Sequence, residues 1–77
     1  MKLVIVKIDE KIFEGELKKV EVPALDGDMV IYPGHLTFLS PLKKGVVKYL
    51  NEKDEEVELE IEKGFVEVNN NETIIIL

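Results

Sequence analysis

Apolar and polar residues alternate along most of this 77-residue chain, and no long stretch repeats with the period of a helix. The clearest case is EVELEIE at residues 56–62, where Val57, Leu59 and Ile61 alternate with glutamates. Because successive side chains of a strand point to opposite faces, this pattern predicts a strand with one buried and one solvated face. The chain is therefore expected to fold from strands alone.

Turn-forming residues divide the alternating segments at short intervals. The pair Asp26-Gly27 is typical of a tight hairpin, and Pro33-Gly34 ends the strand that follows it. Between the first two strands, Asp9-Glu10 predicts a turn and Gly15 a bulge or bend that re-aims the strand. The strands expected from these patterns cover residues 2–8, 16–23, 29–32, 35–40, 46–50, 56–62, 64–68 and 73–77.

Short strands joined by frequent turns are typical of an antiparallel sandwich or a flattened barrel. A barrel of this length would be very small, whereas a sandwich lets each strand bury one face and expose the other. The sequence thus predicts a single all-β domain over residues 1–77, a small antiparallel β-sandwich in two sheets. The final residues 74–77 are apolar on both faces, so this strand is expected to lie centrally or under a cover.

Composition excludes several classes of partner. The chain has 16 acidic residues against 10 lysines, no arginine and a formal net charge of −6, so nucleic acid is nearly excluded. The absence of cysteine excludes disulfides and thiolate metal sites and indicates a reducing compartment. No apolar run approaches the roughly 20 residues of a membrane span, and the opening residues do not resemble a signal peptide. A soluble protein that stays inside the cell is expected.

The residues that could carry chemistry do not form a catalytic or metal-binding pattern. His35 and Ser40 are the only histidine and serine, and residues five apart on one strand point to opposite faces. The carboxylates fall on alternate strand positions, as on solvated faces, and the two aspartates of LDGD lack the spacing of a calcium loop. We expect no catalytic residue, cofactor or metal; an acidic enzyme that uses His35 as a base stays open as an alternative.

Several motifs, taken in order, resemble the epsilon subunit of F-type ATP synthases. DGDMVIYPGH (26–35) is followed by FLSPLKKGVV (38–47) and then by KGFVEV (63–68). The family has an acidic turn leading through an apolar strand into Pro-Gly-His, then L-L-T-x-L-K-P-G, and later G-G-F/I-x-E-V. Order and spacing hold along essentially the whole chain, which aligns with the family's N-terminal domain. The resemblance implies a β-sandwich of about ten short strands.

The resemblance also implies a function and a set of contacts. The resemblance implies a non-catalytic rotor subunit of the central stalk that is a monomer within the complex. Such a subunit is peripheral to the membrane, on the cytoplasmic side of the inner membrane. Such a subunit packs against the gamma subunit and rests on the ring of c subunits, coupling ion flow to ATP synthesis. On the matching positions, His35, Ser40 and Lys7 face gamma, while Asp28, with Met29 beside it, meets the polar loops of the ring.

The chain departs from the family's pattern at a few positions. Val30 stands where glycine is usual, Lys63-Gly64 where the family has Gly-Gly, and Lys44 where proline is common. The family normally continues as a helical hairpin that restrains ATP hydrolysis and in some members binds ATP. Because nothing follows Leu77, we expect neither ATP binding nor strong inhibition from this chain. The rival hypothesis is a stand-alone β-sandwich adaptor that binds a protein through an exposed strand.

Overall fold

The computed structural model describes residues 1–34 and 37–77, and these residues form strands joined by tight turns. Asp9, Asp54 and Asn71 take positive φ at three of the turns, and Gly27 and Gly34 do so at two others. No helix long and apolar enough to cross a membrane occurs in these residues. The eight strands are β1 (Lys2–Lys7), β2 (Glu10–Ala24), β3 (Gly27–Ile31), β4 (Phe38–Leu42), β5 (Gly45–Asn51), β6 (Glu56–Ile61), β7 (Gly64–Asn69) and β8 (Glu72–Ile76).

Strand β2 is 15 residues long and belongs to both layers of the sandwich. Residues 10–16 pair with β1, residues 17–21 pair with β5, and residues 20–24 pair with β3. The pairing shifts register opposite Ile5/Val6 of β1 and again between Leu17 and Lys19. Such bulges bend a strand and increase its twist, so β2 leaves one layer and continues into the other.

The bulge or bend predicted at Gly15 is displaced: the two register shifts fall at Ile12 and Lys18, three residues to either side of it. Gly15 itself pairs regularly with Leu3. The ring of Phe13 lies over it, and a Cβ at this position would fall 2.8 Å from that ring. The second strand is therefore longer than the predicted residues 16–23. It spans Glu10–Ala24, because the chain keeps its hydrogen-bonded strand partners through the bend.

The two layers are one continuous sheet. The first layer runs in the order β4, β7, β8, β1 and the first half of β2, and the second layer contains β3, the second half of β2, β5 and β6. Strand β4 rejoins β2 through the pair Ala24 and Leu42. The all-β sandwich is thus confirmed, with three corrections for the described residues, the first being that the two predicted sheets are joined into one. There are eight strands and not about ten, because β2 serves both layers, and β1 pairs with β8 in parallel.

The hydrophobic core lies between the layers and consists of the inward-facing residues of each strand. Phe13 packs on Tyr49 with ring centroids 4.8 Å apart. Thr73 is the buried polar side chain in the described part of the chain, and its hydroxyl donates a hydrogen bond to the Met1 sulfur at 3.2 Å. The largest fully buried apolar residues are Leu3, Ile5, Ile31, Ile75, Val20, Val22, Val47, Val66 and Val68. Removal of their area from water is the main stabilising term of the fold.

The last strand occupies the central position that its sequence predicts. Strand β8 lies between β1 and β7, and Ile75 is fully buried in the core. On its other face Ile74 is only half-buried and Ile76 is exposed, so the described residues leave this face open.

An ion-pair cluster spans the outer side of the first layer at one end. The ammonium of Lys2 on β1 lies 2.8 Å from the Glu14 carboxylate on β2 and 3.9 Å from Glu72 on β8. Lys11 also pairs with Glu14. Hydrogen bonds from Lys11 and Lys2 lower the pKa of Glu14 to about 2, and the bond to Glu14 raises the pKa of Lys2.

Leu3→Ala is expected to lower the free energy of unfolding by about 2–5 kcal/mol, because Leu3 is fully buried and its truncation leaves a cavity. Urea denaturation followed by circular dichroism measures this difference. Lys53→Ala, at the exposed β5–β6 turn, is the control and should stay within about 0.5 kcal/mol of wild type. Equal stability of the two variants would contradict the assignment of Leu3 to the core.

Glu14→Gln is expected to change how stability responds to acid. A carboxyl whose pKa is lowered by folding stabilises the protein above its ordinary pKa of 4.5, and that contribution is lost as the pH falls toward about 2. The variant should therefore be less stable than wild type near neutral pH, and the two should converge below pH 4.5. Thermal unfolding across this range tests the prediction, with Glu52→Gln as the control; parallel curves for Glu14→Gln and wild type would refute it.

Candidate functional site

The outward side of the first layer is apolar across four strands. Pro41 of β4, Phe65 of β7, Ile76 of β8 and Val6 of β1 are successive partners and form one row. The next row contains Leu39, Glu67, Ile74 and Val4 in the same strand order. We call this surface the apolar face: Val4, Val6, Leu39, Pro41, Phe65, Ile74 and Ile76.

Much of the apolar face is open to solvent. Leu39 is 65% exposed, Phe65 50% and Ile76 43%. Beside them a shallow groove follows the ends of β4, β7 and β8, lined by Pro41, Leu42, Lys63, Gly64, Phe65, Ile76 and Leu77. Scattered exposed apolar residues are ordinary on a protein surface, but a contiguous patch over four strands is typical of an interaction site.

Charged groups border this face at one end. The row beyond Leu39 and Ile74 is polar, with Asn69, Glu72 and Lys2 on successive strands. Glu67, inside the face, accepts a hydrogen bond from the Asn69 amide at 2.7 Å. An apolar centre with a polar margin is the usual anatomy of a protein–protein interface.

The residues predicted to face gamma lie at different places. Lys7 is exposed at the end of β1, directly after Val6 of the apolar face. Ser40 lies on β4 between Leu39 and Pro41, but it takes the inward side with Phe38 and Leu42, and its hydroxyl donates to the Pro41 carbonyl at 3.2 Å. His35 lies outside the described residues.

The residues predicted to face the c ring lie on β3 of the second layer. Asp28 is exposed on the outward side and pairs with Pro23 of β2. Met29 takes the inward side and packs against the core, so only part of its side chain is accessible. In the described residues no hydrogen bond or ion pair joins Asp28 to Lys7 or Ser40.

Sequence reasoning missed most of the apolar face. The family resemblance leads us to expect that some of four apolar residues, Tyr32, Leu36, Phe38 and Leu39, face outward and that the others join the core. Tyr32 and Leu39 are exposed, Phe38 is half-buried against the core, and Leu36 lies outside the described residues. Phe65, Pro41 and Ile76 were not identified, because a cross-strand row becomes visible only when the register of three strands is known. The available signal was the terminal run IIIL at residues 74–77, which is apolar on both faces and is therefore expected to lie centrally or under a cover.

No group of three or more carboxylate or imidazole side chains suited to a metal ion occurs in residues 1–34 and 37–77. No buried side-chain nitrogen or oxygen in those ranges is left without a hydrogen-bond partner.

Comparison with known proteins agrees with this architecture. A subunit of the Euglena gracilis mitochondrial ATP synthase, in an OSCP/F1/c-ring structure, superposes with a TM-score of 0.90 at 24% identity, over 96% of this chain and 48% of that chain. A subunit in the central stalk/c-ring structure of the Tetrahymena thermophila mitochondrial ATP synthase gives a TM-score of 0.79 at 18% identity, over 99% and 61%. The chain thus spans about half to three-fifths of those two subunits, and at these identities the likeness shows the fold.

The sequence itself identifies the family. The family model described as the ATP synthase, Delta/Epsilon chain, beta-sandwich domain matches residues 1–77, the whole of this chain. The eight-stranded sandwich and its apolar outer face therefore belong to a member of the β-sandwich domain family of ATP synthase delta/epsilon chains.

Proposed function

We propose that this chain is a non-catalytic rotor subunit in the central stalk of an F-type ATP synthase. In this role it docks on the gamma subunit and on the ring of c subunits, helps to couple ion flow to ATP synthesis, and is peripheral to the cytoplasmic side of the membrane. Family membership supports the proposal. So does the likeness to subunits of two assemblies that contain F1 with a c ring or the central stalk with a c ring.

The apolar face is the observation that carries the proposal, and we assign it to gamma. A stable stalk needs an interface that stays closed while the rotor turns, and apolar area supplies most of the free energy of such contacts. Leu39, Phe65 and Ile76 are large, exposed and held on adjacent strands. A partner can therefore bind them without the entropy cost of ordering a loop. Lys7 directly follows Val6 of this face and, with His35, is the polar part of the proposed gamma contact. Ser40 lies on the inward side of β4 and is not part of the apolar face, so its contact with gamma stays a prediction of the family resemblance.

The β2–β3 turn is the proposed contact with the ring of c subunits. It is a tight hairpin in which Gly27 has a φ of 131°, so its geometry is set locally. Leu25 and Asp28 are both exposed beside Gly27, which offers an apolar and an acidic group at one end of the second layer. The acidic group orients the contact more than it strengthens it.

The fold suits a part that transmits force. All eight strands of the described residues belong to one hydrogen-bonded sheet, and the long β2 connects the layer with the apolar face to the layer with Asp28. Load that enters at one surface therefore reaches the other through continuous backbone hydrogen bonds and a packed core. Close-packed interiors have low compressibility, so little motion is lost between the two contacts.

Leu39→Ser and Phe65→Ser are each expected to weaken binding to the cognate gamma subunit by about tenfold or more, because large side chains at the centre of an interface dominate its affinity. Leu25→Ser is the matched control, since Leu25 is also an exposed leucine, 57% accessible, but lies on the second layer. Binding is measured by titration with purified gamma, and co-elution on size exclusion provides the qualitative check.

Equal weakening by Leu25→Ser would contradict the assignment of the apolar face to gamma. A wild-type chain that elutes apart from gamma and from the gamma–c-ring complex at all concentrations would contradict the rotor function itself. That second result would favour the stand-alone adaptor, which would instead recover a protein unrelated to ATP synthase.

A further inference from the structure

One carboxylate lies among the side chains of the apolar face. Glu67 of β7 is on the outward side, between its cross-strand partners Leu39 of β4 and Ile74 of β8. Its neighbours along β7 on the same side are Phe65 and Asn69, because alternate residues of a strand share a face. A single negative group therefore interrupts a surface that is otherwise apolar across four strands.

No cation of the described residues neutralises Glu67. Its cross-strand partners are apolar, and the diagonal positions within β4 and β8 hold Pro41, Ile76 and Glu72. It forms no ion pair within 4 Å in the described part of the chain. Lys2, the lysine of the polar margin, pairs instead with Glu72 and with a glutamate of β2. In the free chain the charge of Glu67 is therefore stabilised by solvent.

A partner that covers the apolar face removes that solvent. Glu67 is already half-buried, and the neighbouring Leu39 and Phe65 are exposed, so a partner that buries those two also buries the carboxylate. Burial of an unpaired charge is strongly unfavourable. A partner with only apolar groups at this point would lose much of the free energy that it gains from the rest of the face.

Two kinds of partner group could meet Glu67, a neutral hydrogen-bond donor or a cation. The side-chain amide of Asn69 already donates a neutral hydrogen bond to one carboxylate oxygen at 2.7 Å, and the charge remains. A second neutral donor would leave the same charge buried, whereas a cation compensates it. The formal net charge of the chain, −6, also favours the approach of a cation.

We propose that the gamma subunit presents a basic side chain, a lysine or an arginine, to Glu67, and that this ion pair fixes where gamma lies across the apolar face. The inference rests on the proposed rotor function and adds one directional contact to an interface that is otherwise apolar. Apolar contacts alone tolerate sliding along the strands, whereas a complementary charge pair specifies one register. The hydrogen bond from Asn69 orients the carboxylate before gamma binds.

Glu67→Leu separates this proposal from a purely apolar contact. The substitution removes the charge and extends the apolar face, so it should strengthen binding to an apolar partner and weaken binding to a partner that presents a cation. We expect purified cognate gamma to bind the variant at least about tenfold more weakly than wild type, because the cation of gamma is left buried and unpaired. Glu58→Leu, the same change at an exposed outward position of β6, is the matched control and should bind as wild type does.

Glu67→Gln distinguishes a cation from a neutral donor on gamma, since the amide keeps the shape and an acceptor oxygen but carries no charge. It should also bind gamma more weakly than wild type, and thermal unfolding verifies that each variant folds. Full affinity of Glu67→Gln would identify a neutral donor, and equal or tighter binding of Glu67→Leu an apolar contact. Either result would overturn the proposal and leave the rotor function intact, whereas failure of the wild-type chain to bind gamma would overturn both.

Discussion

The bent strand β2 is the constraint on which the rest of the structure depends. Its two bulges let 15 consecutive residues pair first with β1 and then with β3 and β5. Each bulge inserts an unpaired residue, which reverses the side that faces the core: Leu17 and Val20 are both buried although they are three residues apart. A 77-residue chain without cysteine thereby forms a two-layered core.

The bend also gives the two outer surfaces different chemistry. On the first layer, β8 is apolar on both faces, so its outward residues join those of β4, β7 and β1 in the apolar face. On the second layer the outward positions are mostly charged, as Glu21, Lys48 and Glu58 are successive partners across three strands. Two surfaces of different character, one apolar and one charged, follow from the same sheet. This agrees with a stalk subunit that binds one partner firmly and orients on another.

The sequence predicted the fold class, the turns and the central position of β8, because alternation, Gly and Asx turns and burial on both faces are local signals. It did not predict the length of β2, since a bulge preserves pairing while it breaks the local period. Nor did it predict Phe65 and Ile76 as neighbours of Pro41, because their proximity depends on register between strands that are far apart in the chain. Of the residues singled out by family resemblance, Lys7, Asp28, Met29 and Ser40 are placed by the structure, and their contacts stay predictions.

The most direct test of the account is site-specific photo-crosslinking in the assembled ATP synthase. A photoreactive benzoylphenylalanine replaces Phe65 on the apolar face in one variant and Glu58 on the outward side of β6 in another. The account predicts a crosslink to the gamma subunit from position 65 and none from position 58. A crosslink to gamma from position 58 but not from position 65 would contradict the central claim that the apolar face is the surface that docks on gamma.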